Sequence, residues 1–308
     1  MQDNYELKRT KDYRNSMPYN DGWKVKSGHL GFKMCNDYLF RAFLQCDEES
    51  LIALIAALMR TDPDAIEDVI ITNPIVLGDT ILSKEIRLDI HVVLRSGKHL
   101  DIEMQSYSHK GWMERSLFYA CRCYDSLDHG DLYHEHPGVW QIEFCNFKPF
   151  ADYQGFYFNF YMREEDCHEH IFSDRFKISI VDMTSVDMAK TIDIEQGLAK
   201  WARLFRATTW EELKMLAQED KTIDKALSTA WQLTEDERIR DQMQRREDSE
   251  RYWNALLKDV SDTKQALEEK TQELAESNRA LSEKTLALEN AEQEIALLKA
   301  ELAARDKG

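Results

Sequence analysis

The chain has 308 residues, with 57 acidic and 40 basic side chains and a formal net charge of −17. That balance excludes a protein held to nucleic acid by overall charge, so any contact with a polyanion needs a local basic face. At 43% hydrophobic residues the chain can build one sizeable core plus an accessory segment, and it has no apolar run long enough to span a membrane.

Residues 1–30 are polar and read as a flexible arm. Residues 1–34 hold seven bases and four acids, a mildly basic stretch that could touch phosphates or be an ordinary solvated terminus. The opening MQDNYELKRTKDYRN lacks the apolar core of a signal peptide, so a cytoplasmic protein is expected, with its six cysteines reduced. Residues 35–45 read as an amphipathic helix whose apolar face is Leu39, Phe40, Phe43 and Leu44. Asp37 lies near its start, where it favours the helix dipole or leans toward a metal as an auxiliary acid. A second, strongly apolar helix covers residues 49–60 and ends at Thr61-Asp62-Pro63. Residues 68–77 read as an extended segment interrupted by Asn73-Pro74.

The richest stretch is residues 84–105, KEIRLDIHVVLRSGKHLDIEMQ. Two alternating runs flank Ser96-Gly97 and predict a β-hairpin. Leu88, Ile90, Val92 and Leu94 share one face of the first strand, with Arg87, Asp89 and His91 on the other. Leu100, Ile102 and Met104 share one face of the second, with Asp101, Glu103 and Gln105 opposite. Carboxylates at mid-strand on adjacent strands can hold a hard divalent cation; a solvated hairpin edge with scattered acids is the other reading. A two-residue turn at Ser96-Gly97 would set Asp89 opposite Met104. For Asp89 to meet Glu103 the loop must have an odd number of residues, or a bulge must shift the register. Gly97 suits the left-handed position of a three-residue loop.

Residues 111–128 predict a long helix in which Trp112, Leu117, Tyr119, Ala120 and Tyr124 cover the sheet. Arg115 on this helix is a candidate phosphate clamp, because its planar fork binds two oxygens at once; a salt bridge is the competing reading. Cys121-Arg122-Cys123 points its sulfurs apart, and neither the His129/His134/His136 group nor Cys167/His168/His170 has zinc-site spacing. Residues 138–147, 155–163 and 175–183 predict strands, the first two rich in aromatics. Residues 195–232 turn helical, with Lys200, Arg203 and Arg206 as a small basic stripe that could track a backbone, a solvated face being the default reading. From residue 235 glycine is absent until the last position, and Leu267, Leu274, Leu281, Leu288, Ile295 and Leu302 repeat every seven residues. The neighbouring seam carries Lys270, Ser277 and Lys284, so the segment reads as a long helix with a weak coiled-coil seam.

Asp89, thirteen intervening residues, then Glu103-Met104-Gln105 resembles the D…(D/E)-x-K signature of PD-(D/E)xK nucleases, with Gln in place of Lys. RLDI…HLDIEMQ is similar, more narrowly, to the recombination-promoting nuclease and putative transposase family. Further segments resemble that family in order: Asn36-Asp37-Tyr38-Leu39-Phe40-Arg41-Ala42-Phe43, Arg115-Ser116-Leu117-Phe118-Tyr119, Gly130-Asp131-Leu132-Tyr133 with Pro137 and Val139, and Trp201-Ala202-Arg203-Leu204-Phe205. The resemblance covers roughly residues 31–220. It implies an α/β fold: a restriction-endonuclease-like mixed sheet flanked by helices, here with a helical C-terminal part and a long coiled-coil-like tail. The expected divisions are the arm (1–30), a nuclease-like domain (31–190), a helical subdomain (191–234) and the long helix (235–308).

The resulting expectation is a divalent-metal-dependent DNA endonuclease linked to recombination or mobile elements. Asp89 and Glu103 would ligate Mg²⁺ (Mn²⁺ as a substitute), the Met104 carbonyl would complete the shell, and Gln105 would orient the attacking water. Gln cannot supply the charge that Lys gives a transition state. A nuclease-fold interaction protein with little catalysis, assembled through its tail, is therefore the alternative. DNA and a second copy or partner protein bound through residues 256–302 are the expected partners, with no membrane.

Overall fold

The computed structural model describes residues 17–66, 69–72, 90–108, 111–125 and 132–305. By contacts the chain divides into residues 1–248 and 249–308.

The first unit is built on a six-stranded mixed sheet of order β1-β2-β3-β4-β6-β5. Its strands are β1 (Val69–Ile71), β2 (Ile90–Leu94), β3 (His99–Gln105), β4 (Val139–Cys145), β5 (Tyr157–Arg163) and β6 (Ile171–Asp182). β1, β2 and β3 run antiparallel in turn, β3 and β4 are parallel, β4 and β6 are parallel, and β5 closes the edge antiparallel to β6. Eight α-helices are described: α1 (Asp37–Cys46), α2 (Glu48–Met59), α3 (Trp112–Tyr124), α4 (Thr191–Glu195), α5 (Leu198–Arg206), α6 (Trp210–Glu219), α7 (Lys221–Glu235) and α8 (Glu237–Arg305). The parallel pairing of β3 with β4 needs a crossover, and α3 lies within it.

Alternation decides what each face of the sheet holds. Leu100, Ile102 and Met104 of β3 and Trp140, Ile142 and Phe144 of β4 enter the main core beneath α1, α2 and α5–α7. Phe40, Phe144 and Phe205 pack there edge to face or tilted, with centroids 5.2–6.1 Å apart. Helices from residues 191–234 thus share a core with the sheet. α1 is more than the expected amphipathic helix: every residue from Tyr38 to Cys46 is buried, including Arg41 and Gln45. α2 ends with Arg60 in the left-handed region (φ 55°), just before the expected Thr61-Asp62-Pro63 stop.

Two expectations need correction, those for residues 17–30 and for the facing of α3. Residues 17–30 do not behave as a free arm, because Trp23 is 1% exposed within the core. The segment is also tied down by Tyr19 Oη donating to Asp224 (2.7 Å), a Lys24–Asp224 ion pair (2.9 Å) and Leu30 N–H donating to Thr208 O (2.8 Å). Residues 1–16 lie outside the described residues. The Lys200/Arg203/Arg206 stripe lies toward solvent, as its default reading had it, with local partners: Lys200 pairs with Asp220 (3.1 Å), Arg203 with Asp187 (3.8 Å), and Arg206 donates to Met183 O (3.1 Å). Finally, α3 buries Trp112, Ser116, Ala120 and Cys123, while Leu117 is 48% exposed. The helix turns small and polar residues to the sheet because a polar layer lies beneath it.

In the second unit α8 is a solvated helix. Leu267, Leu274, Leu281, Leu288 and Ile295 are each more than half exposed, and Val260 and Trp253 continue the same seven-residue stripe toward the N-terminus. Among the described residues no helix is long and apolar enough to cross a membrane.

Candidate active site

The β2–β3 turn has the odd loop the sequence called for. Leu94 N–H donates to Lys98 O (3.0 Å), Gly97 N–H donates to Leu94 O (2.8 Å), and the loop is Arg95-Ser96-Gly97 with Gly97 at φ 82°. The left-handed third residue is cheap only for glycine. The register that follows pairs Val93 with His99, His91 with Asp101 and Ile90 with Ile102. Asp89 lies outside the described residues.

Beneath α3 the sheet carries a buried polar layer. Asp101, Glu103 and Gln105 of β3 are 1%, 5% and 6% exposed. The parallel register sets Asp101 opposite Gln141 and Glu103 opposite Glu143 of β4, both fully buried. Small apolar clusters flank the layer: Trp112, Cys145, Phe158 and Ile180 on one side, and Ala120, Cys123 and Val139 on the other. Gln105 is the hub. Its Oε1 accepts from Arg115 Nη2 (2.6 Å) and its Nε2 donates to Glu143 Oε2 (2.9 Å), while Gln141 Nε2 donates to Glu143 Oε1 (3.1 Å). Burial drives the Glu143 carboxyl upward from the usual range, opposed by the hydrogen bonds from Gln105 and Gln141 and by the Arg115 charge. The nearby Cys123 thiol is pushed up to about 12, first by burial and then by the Asp101 and Glu103 charges, so it stays protonated.

The expected site residues are thus distributed unevenly. Glu103, Gln105 and Arg115 come together. Met104 turns its side chain into the main core, where it is 4% exposed, so only its backbone can face the site. Asp37 is the first residue of α1, but the cap is Asn36, whose Oδ1 accepts from Tyr38 N–H (3.1 Å) and Leu39 N–H (3.2 Å). Asp37 reinforces the helix start through its charge and pairs with Arg246 (3.6 Å). Its helix is nonetheless moored to the exit of β3, because Ser106 Oγ donates to Cys35 O (2.6 Å).

Glu143, Gln141 and Ser116 were not foreseen. The signal was present: VWQIEFC places two polar residues two apart in an otherwise apolar strand, repeating the spacing of Asp101, Glu103 and Gln105.

A mixed sheet flanked by helices, with a carboxylate-bearing hairpin feeding a parallel strand, defines the PD-(D/E)XK nuclease class of α/β folds. Residues 34–260 match the family described as PD-(D/E)XK nuclease family transposase, and the chain belongs to that family. No curated protein and no solved structure matches it. The family gives the protein a nuclease or transposase-related role and a DNA substrate class, and its members generally use divalent metals. Among the described residues no group of three or more His, Cys, Asp or Glu side chains stands close enough to hold an ion, and Asp89 lies outside them; the chemistry of the donors is nonetheless that of a hard-cation site. The set is oxygen-rich, with three carboxylates and two amides on one face, and Arg115 is the cation seen to reach it.

Proposed function

We propose that the protein is a divalent-metal-dependent DNA endonuclease, with Mg²⁺ as the expected ion and Mn²⁺ as a substitute. The observation that carries this reading is the convergence of Glu103, Gln105, Glu143 and Arg115 in one buried layer at the end of β3. In this reading Asp89, which lies outside the described residues, would join Glu103 and the Met104 carbonyl in holding the ion. When bound, such an ion supplies the Lewis acid that polarises a phosphodiester and lowers the pKa of a water.

The chain's own residues account for the rest. Gln105 fixes the Arg115 guanidinium at the rim of the acid layer, where the missing lysine of the signature would have supplied positive charge. Arg115 then clamps the scissile phosphate. The Gln105 amide keeps one N–H and one lone pair after its two bonds, enough to orient an attacking water. Glu143 is a positioning residue that anchors both amides.

Nicking of supercoiled plasmid tests this. With Mg²⁺ or Mn²⁺ the protein nicks, EDTA stops it, and Glu103→Ala lowers the rate by more than about 100-fold, beyond the roughly 10–100-fold cost of losing a residue that only supports a ligand. Nicking that persists in Glu103→Ala places the chemistry elsewhere. A second reading, a weakly catalytic interaction protein assembled through α8, is favoured by the long exposed heptad stripe. No cleavage and no metal binding by calorimetry, together with a tail-dependent dimer, would favour it.

A further inference from the structure

The basic groups expected to meet DNA are neutralised: Lys24 by Asp224, Lys200 by Asp220 and Arg203 by Asp187. Uncompensated positive charge gathers instead on the opposite face of the sheet from the acid layer. One rung of the ladder there aligns Trp140 of β4, Lys177 of β6 and Tyr161 of β5. Lys177 Nζ sits 3.7 Å from the Trp140 ring centroid and 5.5 Å from that of Tyr161. Lys98, at the entrance to β3, reaches the same Trp140 ring from 5.8 Å, and Arg163 lies 5.7 Å from the Tyr161 ring. Among the described residues neither Lys98 nor Lys177 has an acidic partner within ion-pair distance. Arg60 stands nearby but is held by Asp193 (2.8 Å). Burial first, then the charges of Lys98 and Arg60, pull the Lys177 ammonium down to about 8.

We propose that Lys98, Lys177 and Tyr161, set around the buried Trp140 ring, form a second contact for the phosphodiester backbone of DNA, separate from the cleavage site. The inference rests on the reading of the protein as a DNA nuclease. The stripe they form crosses four adjacent strands (β3, β4, β6, β5), roughly 14 Å at the usual strand spacing. That matches the length of about four nucleotides at 3.4 Å each. It is linear rather than enclosed, which suits a backbone better than a free anion. Trp140 is 2% exposed and lies beneath the two lysines as the ring they pack on, so a backbone would meet their ammonium groups rather than a stacking surface. Beyond Arg163 the turn holds Glu164, Glu165, Asp166 and Glu169, which repel phosphate and bound the stripe on that side. In a chain of net charge −17 such a patch gives DNA a defined approach.

The test uses the full chain carrying Glu103→Gln, so that DNA is not cut. Binding of a 20-bp duplex is followed by fluorescence anisotropy from 50 to 200 mM NaCl in EDTA, with and without Lys98→Gln/Lys177→Gln. The stripe predicts that the double substitution lowers the slope of log affinity against log salt by about 1 to 2, at about 0.9 per phosphate contact. A second measurement needs no stripe variant. Lys177 is acetylated by an amine-reactive ester at pH 8, and duplex DNA protects it as read by mass spectrometry. An unchanged slope and an unprotected Lys177, with the parent protein still binding DNA, would overturn the proposal and leave the nuclease reading standing. Equal protection by inorganic phosphate at matched phosphate concentration would make this a small-anion site and overturn the assignment to DNA. No DNA binding by the parent, joined to no nicking by the unsubstituted chain, would remove both readings.

Discussion

At the scale of single residues, Gln105 explains how a nuclease signature without its lysine can keep a positive charge in the site. An amide both donates and accepts, so it can join a carboxylate to a guanidinium; lysine can only donate. Replacing Gln105 by Ala removes the bond to Glu143, which is buried, and the bond that aims Arg115. The expected cost is about 1–3 kcal/mol in urea unfolding, because a buried charged or polar group loses a partner. Nicking should fall with it, and Arg115→Lys should restore less activity than the parent, since an ammonium lacks the fork. If Gln105→Ala is as stable and as active as the parent, the hub described above has no functional weight. Gln105 and Glu103 were legible in the sequence because they sit in a short alternating run. Glu143 was not, because its meaning depends on a parallel partner strand 40 residues away from Glu103.

Among the elements, the β2–β3 hairpin sets the register of the whole site. Its three-residue loop depends on Gly97 at φ 82°, with Pro137 Cβ 3.1 Å from where a Cβ would stand. Gly97→Ala should therefore cost about 1–2 kcal/mol, seen as a lower urea midpoint with an unchanged slope. A neutral substitution would mean that the loop does not hold the strands in this register. The turn was readable from the sequence because a left-handed residue is a local demand with one inexpensive solution. The facing of α3 was not. Hydrophobicity chose Leu117 for the sheet side, whereas the structure turns Ser116 there, beneath which lies Glu143 rather than an apolar surface.

For the molecule as a whole, the acidic total hides a division of labour among charges. The acids of β3 and β4 are buried in the site, while several bases elsewhere are spent on ion pairs. The heptad stripe of α8, from Trp253 to Ile295, remains exposed along a 69-residue helix. Such a helix gains its stability from packing rather than from propensity. We therefore expect the full chain to sediment as a dimer at micromolar concentration. Leu274→Lys with Leu281→Lys should yield a monomer that still nicks plasmid, since neither residue belongs to the site. A parent chain that sediments as a monomer would leave the stripe to another protein.

The sequence by itself determined the fold class, the hairpin with its odd loop, the acids of β3 and the long C-terminal helix. Each of these is written in local terms: a period of two or seven, a glycine at a turn, a motif within one stretch of chain. Only the tertiary structure decided that residues 17–30 dock, that Asp37 serves its helix while Asn36 caps it, and that Glu143 completes the acid layer. It also decided that the free cations gather around Trp140. These outcomes depend on which strands become neighbours and which charges meet across more than a hundred residues, and no periodicity records that.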